Sequence, residues 1–167
     1  MDKIIRKYQL YQSDCTIISN SEQFINNAID SLKKELAMIK HFTETYPKWK
    51  ESYKPIDLVK NTAQKNNAVL KTMEQTAFQS KVGPMAAVAG ALADQMLSCM
   101  IKNEKCNIAV VENGGEIAIK AKEEIIIGLL VLSASLQNHL GFRYPGNNSR
   151  IGIATSSANF GHADSLG

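Results

Sequence analysis

The segment Glu112-Asn113-Gly114-Gly115-Glu116 places two carboxylates and an amide around a pair of glycines. β-prone runs flank it at 107–112 and 116–121, and an Asn-Gly pair between such runs is the strongest short-range signal for a β-hairpin. A turn alone accounts for Asn113 and Gly114, but not for a second glycine and two carboxylates. These oxygens suit ribose or base donors, or a hard cation such as magnesium. The competing interpretation is a solvated turn with charged flanks.

A second polar segment follows the last predicted strand. Hydroxyls, an imidazole and a carboxylate crowd together there, in Thr155, Ser156, Ser157, His162 and Asp164. A Ser/His/Asp nucleophile set is conceivable by content. The segment has no G-x-S-x-G nucleophile elbow, which argues against hydrolytic catalysis. Hydroxyls and amides that cradle a phosphate, with His162 nearby, are the favoured functional interpretation.

The third segment, residues 82–90, reads Val-Gly-Pro-Met-Ala-Ala-Val-Ala-Gly. Gly83-Pro84 is a favoured way to open a helix. Free amides and the helix dipole at such a start favour a phosphate by about 0.3–1 kcal/mol. The segment is neither a Walker loop nor a G-x-G-x-x-G fingerprint. Plain packing is the favoured explanation of this segment, because many glycine-started helices bind no ligand.

The histidines and cysteines do not form a metal-binding pattern. His41 shares a helix face with Lys34 and is expected in solvent, and His139 has no ligand partner at metal spacing. The three cysteines are odd in number and lack a C-x-x-C pair, so we expect no disulfide framework and a reducing cytoplasm. No secretory signal is visible, and the apolar stretches 125–136 and 85–101 are expected in the core, with no membrane partner.

Length and composition favour one globular domain. The chain has 167 residues, 44% of them hydrophobic and 21% charged. The net charge is +3, too weak a balance to predict a nucleic-acid partner. All 10 glycines lie at or beyond Gly83, so tight turns and any binding site are expected in the second half.

The pattern along the chain predicts strands at both ends of a helical middle. We expect a hairpin from 3–10 and 14–19, then a long helix capped by Ser19 or Asn20 and ended by Pro47. Further helices are predicted over 66–79 and from Gly83. The remaining predictions are a fully covered strand at 107–112, an apolar run from Ile125 that continues as strand or helix, a loop at 141–149 and a last strand at 150–154.

Taken together in this order, these segments resemble uncharacterised proteins related to the ApbE-type FAD:protein FMN transferases. The resemblance covers most of the chain, and its most specific mark is the run at 82–90. The other marks are Tyr46-Pro47-x-Trp49 and Pro55-Ile56, the tip at 112–116, and Gly152-Ile153-Ala154-Thr155-Ser156-Ser157 followed by Gly161-His162.

The resemblance implies an α+β fold, with a mainly antiparallel sheet packed with long helices, that binds FAD with magnesium and transfers FMN to a protein threonine. Asn113-Gly114-Gly115 is similar to the N-x-G-G turn of the transferases, and Thr155-Ser156 to their T-S-G segment. The lysine of their G-G-I-A-K-G-Y helix start has no equivalent at 83–90. Their A-D-A-x-x-T metal segment is also absent, so residues 1–167 are expected to form an ApbE-like domain without its C-terminal part.

We therefore predict a cytoplasmic protein that binds a flavin (FAD or FMN) or another phosphate-bearing nucleotide, with magnesium as a companion ion. The predicted binding residues are Gly83, Glu112, Asn113, Gly114, Gly115, Thr155, Ser156, Ser157 and His162. The alternative is a noncatalytic ligand-binding or assembly module that keeps the fold without transferase chemistry. A second copy, or a C-terminal fragment of the same protein, is the expected macromolecular partner because an incomplete sheet leaves an open edge.

Overall fold

The protein has the predicted α+β architecture. The structure, a computed structural model, describes residues 3–128 and 140–154. In this part of the chain a five-stranded sheet has the order β1-β2-β3-β4-β7, and every neighbouring pair is antiparallel. Its strands are β1 (Ile4–Leu10), β2 (Ser13–Ser19), β3 (Ile108–Asn113), β4 (Glu116–Ala121) and β7 (Ile151–Ile153). The helical middle of the sequence forms a layer on one face of this sheet.

The first hairpin and the long helix are confirmed, with a different cap. Helix α1 (Glu22–Thr45) ends just before Pro47, as predicted. Ser21 is its N-cap, because the Ser21 Oγ accepts a hydrogen bond from the Gln23 amide at 3.3 Å. The Asn20 Oδ1 instead accepts the Asn107 amide at 2.9 Å and so connects β2 to the segment before β3. The prediction of Ser19 or Asn20 as cap was therefore wrong by one or two residues.

The connector after α1 is anchored by a buried indole. Short helix α2 (Pro47–Glu51) carries Trp49, which is fully buried and packs edge-on against Phe42 at 5.0 Å between ring centroids. Helix α3 (Ala68–Ser80) begins at Asn67, whose side-chain Oδ1 accepts the Leu70 amide at 2.8 Å. This helix confirms the prediction for 66–79. His41 is exposed, also as predicted.

Helix α4 (Val88–Met100) lies deep in the fold but starts later than predicted. Pro84–Ala87 forms a 3₁₀ turn, and the α-helix begins only at Val88. Leu92, Met96, Leu97 and Met100 of α4 are almost wholly buried in the core between the helices and the sheet. Because its small residues allow close approach, α4 packs on β3 and β4 as well as on α1.

A second, smaller layer covers part of the other sheet face. Strands β5 (Ile125–Gly128) and β6 (Gly141–Tyr144) pair antiparallel, so the predicted loop at 141–149 was wrong over its first four residues. Ile125 and Tyr144 are buried against β3 and β4, and the Tyr144 hydroxyl donates to the Ala121 carbonyl at 2.9 Å. All of Ile108, Ala109, Val110 and Val111 are buried as a result, which confirms that both faces of β3 are covered.

The question whether the run from Ile125 continues as strand or helix concerns residues 129–139, which lie outside the described ranges. Within those ranges, no helix combines the length and the apolar character needed to cross a membrane. The three cysteines are free thiols.

Candidate functional site

The β3–β4 hairpin exists as predicted, with its turn one residue later. Asn113 ends β3 and pairs with Glu116, so Gly114 and Gly115 are the two turn residues. Their φ angles are 60° and 95°, the positive values that a tight primed turn requires. The Gly114 amide donates to the Asp14 carbonyl at 3.1 Å. Gly115, which a turn made of Asn113 and Gly114 would not require, is thus one of the two turn residues.

Asn113 is an internal anchor of the tip. Its side chain is 2% exposed, and its Nδ2 donates to the Ala89 carbonyl in the first turn of α4 at 3.2 Å. Its Oδ1 accepts from the Cys15 thiol at 3.5 Å. Burial, followed by the negative charges of Glu112 and Asp14, raises the pKa of Cys15 to about 12, so this thiol stays a donor at neutral pH. Asn113 therefore joins the tip to both β2 and α4.

The two glutamates of the tip have different environments. The Glu112 Oε1 accepts the Gly115 amide at 2.8 Å, which fixes the turn. The Glu116 carboxylate is half-buried on the helical side of the sheet, and burial raises its pKa above the usual value of 4.5. A Cβ built on Gly90 would lie 3.8 Å from the Glu116 Oε2. Glu116 is thus a partly desolvated carboxylate beside the start of α4.

Strand β7 completes this neighbourhood from the other side. Gly152 pairs with Ala118 and so shares the helical face of the sheet with Glu116. The Arg150 guanidinium donates to the carbonyl of Asp94 on α4 at 2.8 Å and holds this end of β7 against the helix. We call the surface formed by Gly90, Glu116 and Gly152 the α4 notch.

A side chain at either glycine of the α4 notch would not clash with a described atom. A Cβ on Gly152 would meet its nearest neighbour among the described atoms at 3.8 Å, as would one on Gly90. Gly152 is exposed and Gly90 is half-buried. Gly90 therefore lies in van der Waals range of a half-buried carboxylate without a side chain of its own, and Gly152 lies on the same face of the sheet.

Gly83 occupies a different environment from the tip. A Cβ at this position would lie 1.7 Å from the Ser52 carbonyl oxygen, a backbone atom that cannot yield cheaply. Glycine is needed here so that the start of the 3₁₀ turn can pass the connector after α2. This contact supplies a packing reason for Gly83.

The structure brings Glu112, Asn113, Gly114 and Gly115 together at one tip, as predicted. Thr155, Ser156, Ser157 and His162 lie outside the described residues, as does His139. The chain leaves β7 at Ala154, one residue beyond the Ile117–Ile153 pair, at the end of the sheet that carries the tip. Across residues 3–128 and 140–154, no three His, Cys, Asp or Glu side chains are grouped to hold a metal ion.

Gly90 and Gly152 are site residues that the sequence did not single out, and Glu116 was considered only as one of the two carboxylates of the hairpin tip. All three belong to segments that carry the resemblance, but the signal that unites them is spatial. A 3₁₀ turn shifts the helix start from Gly83 to Val88, and the β4–β7 register puts Gly152 on the helical face. Neither feature has a sequence pattern of its own.

The protein has an α+β fold in which the two-glycine hairpin tip is hydrogen-bonded, through Asn113, to the first turn of the buried helix α4. The chain belongs to the family described as AbpE bacteria, whose model matches residues 6–167. It is 30% identical over 166 residues to a UPF0280 protein of Methanococcus aeolicus, in an alignment covering 98% of this chain and 65% of the relative. A UPF0280 protein of Methanocaldococcus jannaschii is 33% identical over 138 residues, 81% of this chain and 53% of the relative.

A UPF0280 protein of Methanococcus maripaludis strain C6 is 29% identical over 163 residues, with 96% of this chain and 64% of the relative aligned. The chain thus spans between about half and just under two thirds of the length of these relatives. The family assignment agrees with the family-level part of the resemblance drawn from the sequence.

Proposed function

We propose that the protein binds a phosphate-bearing nucleotide in the α4 notch. The nucleotide that we favour is a flavin, FAD or FMN. The observation that carries the proposal is the half-buried Glu116 carboxylate, which lies beside Gly90 of α4 on the sheet face that Gly152 shares. Glycines have no side chain to keep a ligand from the backbone, and a partly desolvated carboxylate interacts more strongly than an exposed one with the donor or cation that it meets.

The start of α4 supplies the electrostatics for a phosphate. Its N-cap residue is Ala87, whose side chain has no capping hydrogen bond. The positive end of the helix dipole lies at this first turn, where the Val88 amide already donates to the Met85 carbonyl of the preceding 3₁₀ turn, so any phosphate would meet the dipole and the later amides. Thr155, Ser156 and Ser157 follow directly after Ala154 in sequence and are proposed to add hydroxyl donors, with His162 as a further polar group.

Magnesium fits the donor set only in part. Glu112 and Glu116 offer carboxylate oxygens of the kind that magnesium prefers, but the Glu112 Oε1 already accepts the Gly115 amide. Glu116 is therefore the residue of this tip that we propose as a ligand. When bound, the ion would neutralise phosphate charge, while the chain's own groups orient the nucleotide.

The link to the ApbE-type FMN transferases is part of the proposal. The tip Asn113-Gly114-Gly115 and the segment Thr155-Ser156 are similar to the binding segments of those enzymes, and family membership is consistent with this relation. Transfer of FMN would release AMP from FAD. The protein is proposed to act in the cytoplasm, where its free thiols remain reduced.

A second candidate function is a noncatalytic ligand-binding or assembly module. Two observations favour it: Gly83 is committed to packing against Ser52, and the Asn113 amide is committed to Ala89 and Cys15. An assembly role would use the outer edge of β7, which pairs with β4 on one side only within the described sheet. A second copy or a C-terminal fragment of the same protein is the proposed partner there.

The experiment that tests the proposal is incubation of the purified protein with FAD and magnesium. Retention of flavin after gel filtration, seen by its visible absorbance, supports binding. Release of AMP from the bound FAD supports the transferase, and retention without AMP supports the module. Absence of retained flavin at micromolar protein, with no thermal stabilisation by FAD, would overturn the flavin proposal.

A further inference from the structure

A separate pocket, which shares no lining residue with the α4 notch, lies between the connector and α3. It has a volume of about 260 Å³ and opens between the segment at 57–60 and the outer face of α3. Lys71, Glu74, Gln75 and Phe78 line it from α3. Their spacing of three and four residues places them on one helix face.

Glu74 is a nearly buried carboxylate in the wall of this pocket. It is 7% exposed, and its Oε1 accepts three hydrogen bonds: from Trp49 Nε1 at 2.9 Å and from the amides of Leu58 at 2.9 Å and Val59 at 2.8 Å. These donors hold the connector on α3. All three use the same oxygen, and none uses Oε2.

The second oxygen of Glu74 is the group that a ligand would meet. No buried side-chain oxygen in the described structure lacks a partner, so Oε2, which has none, is reached by solvent. Glu74 lines the pocket, and we infer that its Oε2 opens there. A carboxylate fixed on one side and free on the other is a preorganised acceptor for a cationic donor.

The lysines and the phenylalanine that line the pocket indicate which class of ligand it can bind. Lys60 is paired with Asp57, whereas Lys71 has no ion-pair partner among the described residues. The Phe78 ring is 50% exposed and supplies an apolar surface. Glu74 and Lys71 therefore offer one negative and one positive charge on the same helix face, next to an aromatic ring.

We propose that this pocket binds a small zwitterion with an apolar side chain, of the α-amino acid class. The ammonium group donates to the Glu74 Oε2, the carboxylate accepts from the Lys71 ammonium, and the apolar side chain packs on Phe78. This site is independent of the α4 notch and of any nucleotide bound there.

The test is a titration of the full chain with L-phenylalanine, followed by amide chemical shifts in NMR. Phenethylamine and 3-phenylpropionate serve as probes that lack the carboxylate and the ammonium group. We expect saturable shifts in α3 and at 57–60, in the millimolar range, with weaker binding of both truncated probes. Absence of saturable shifts at millimolar phenylalanine, or equal binding of 3-phenylpropionate, would overturn the proposal.

Two variants and a matched control locate the binding. Glu74→Gln keeps a carbonyl oxygen for the three donors but turns an amide group toward the pocket, and should weaken binding at least about tenfold. Phe78→Ser should also weaken it and tests the pocket even if Glu74→Gln does not fold. Phe142→Ser removes an equally exposed ring on β6 and should leave binding unchanged. Equal affinity of Phe78→Ser and the wild type, or an equal loss in Phe142→Ser, would contradict the assignment.

Discussion

Asn113 of the hairpin tip donates its side-chain amide to the carbonyl of Ala89 in the first turn of α4, across 3.2 Å. This hydrogen bond fixes the turn relative to the first turn of α4. Asn113 also pairs with Glu116 across the turn. The position of the Glu116 carboxylate beside α4 therefore depends on the register of the β3–β4 hairpin. Asn113, which the sequence predicted as a binding residue, thus uses its side chain as an internal anchor of the site.

Replacement of Asn113 by alanine should therefore destabilise the whole protein. It removes two hydrogen bonds from a buried position, and we expect a loss of about 1–3 kcal/mol in the free energy of unfolding. Urea denaturation followed by circular dichroism measures it. Asn66→Ala, at an exposed position before α3, is the control and should change stability little. Unchanged stability in Asn113→Ala would show that the two hydrogen bonds of the Asn113 side chain contribute nothing to the free energy of unfolding.

Alanine substitutions at two glycines should have opposite effects on stability. Gly83→Ala places a Cβ 1.7 Å from the Ser52 carbonyl oxygen and should cost about 3 kcal/mol. Gly90→Ala meets its nearest described atom only at 3.8 Å, inside α4, and should gain about 0.5–1 kcal/mol from better helix propensity. The two denaturation midpoints, measured side by side, check this pair. A stable Gly83→Ala variant would refute the packing role of Gly83.

The sequence pattern was sufficient to predict most of the helices and strands, but it did not predict which residues of the site lie together. Periodicity and turn chemistry predicted α1, the first hairpin and the β3–β4 hairpin, since these depend on local spacing and on residues such as Pro47 and Gly114. The pattern failed at the start of α4, where a 3₁₀ turn delays the helix. It also failed at β6, a four-residue strand in a stretch rich in glycine and asparagine that depends on pairing with β5.

The half-buried Glu116 makes stability depend on pH in a defined direction. Burial raises its folded-state pKa above 4.5, so the folded protein binds this proton more tightly than the unfolded chain. The contribution of Glu116 to stability is therefore greatest below pH 4.5 and is lost as the pH rises through the folded-state pKa.

Glu116→Gln should accordingly equal or exceed the wild type in stability at pH 7, with a difference that shrinks as the pH falls toward 4.5. Thermal melts over this pH range measure the difference, and Glu104→Gln, at an exposed position, is the control. The prediction would be contradicted if Glu116→Gln were less stable than the wild type at pH 7 and equal to it only at acid pH.

The three thiols should react at different rates in the folded protein. Cys15 and Cys106 are buried, and burial raises the pKa of both, so little thiolate forms at neutral pH. Cys99 is half-buried and should be alkylated first. Iodoacetamide labelling followed by peptide mass spectrometry measures the order, with the urea-unfolded chain as the control in which all three react. Labelling of Cys15 before Cys99 in native buffer would contradict the burial of the Cys15–Asn113 contact.

The central claim is that the α4 notch binds a flavin nucleotide, and a thermal melt with FAD and magnesium tests it most directly. At a hundredfold excess over the Kd, the ligand should stabilise the wild type by about 2.7 kcal/mol and raise its Tm by about 5–10 °C. Glu116→Gln should lose most of this increase while Glu104→Gln keeps it. A wild-type Tm that does not move with FAD, or an equal increase in Glu116→Gln, would contradict the account.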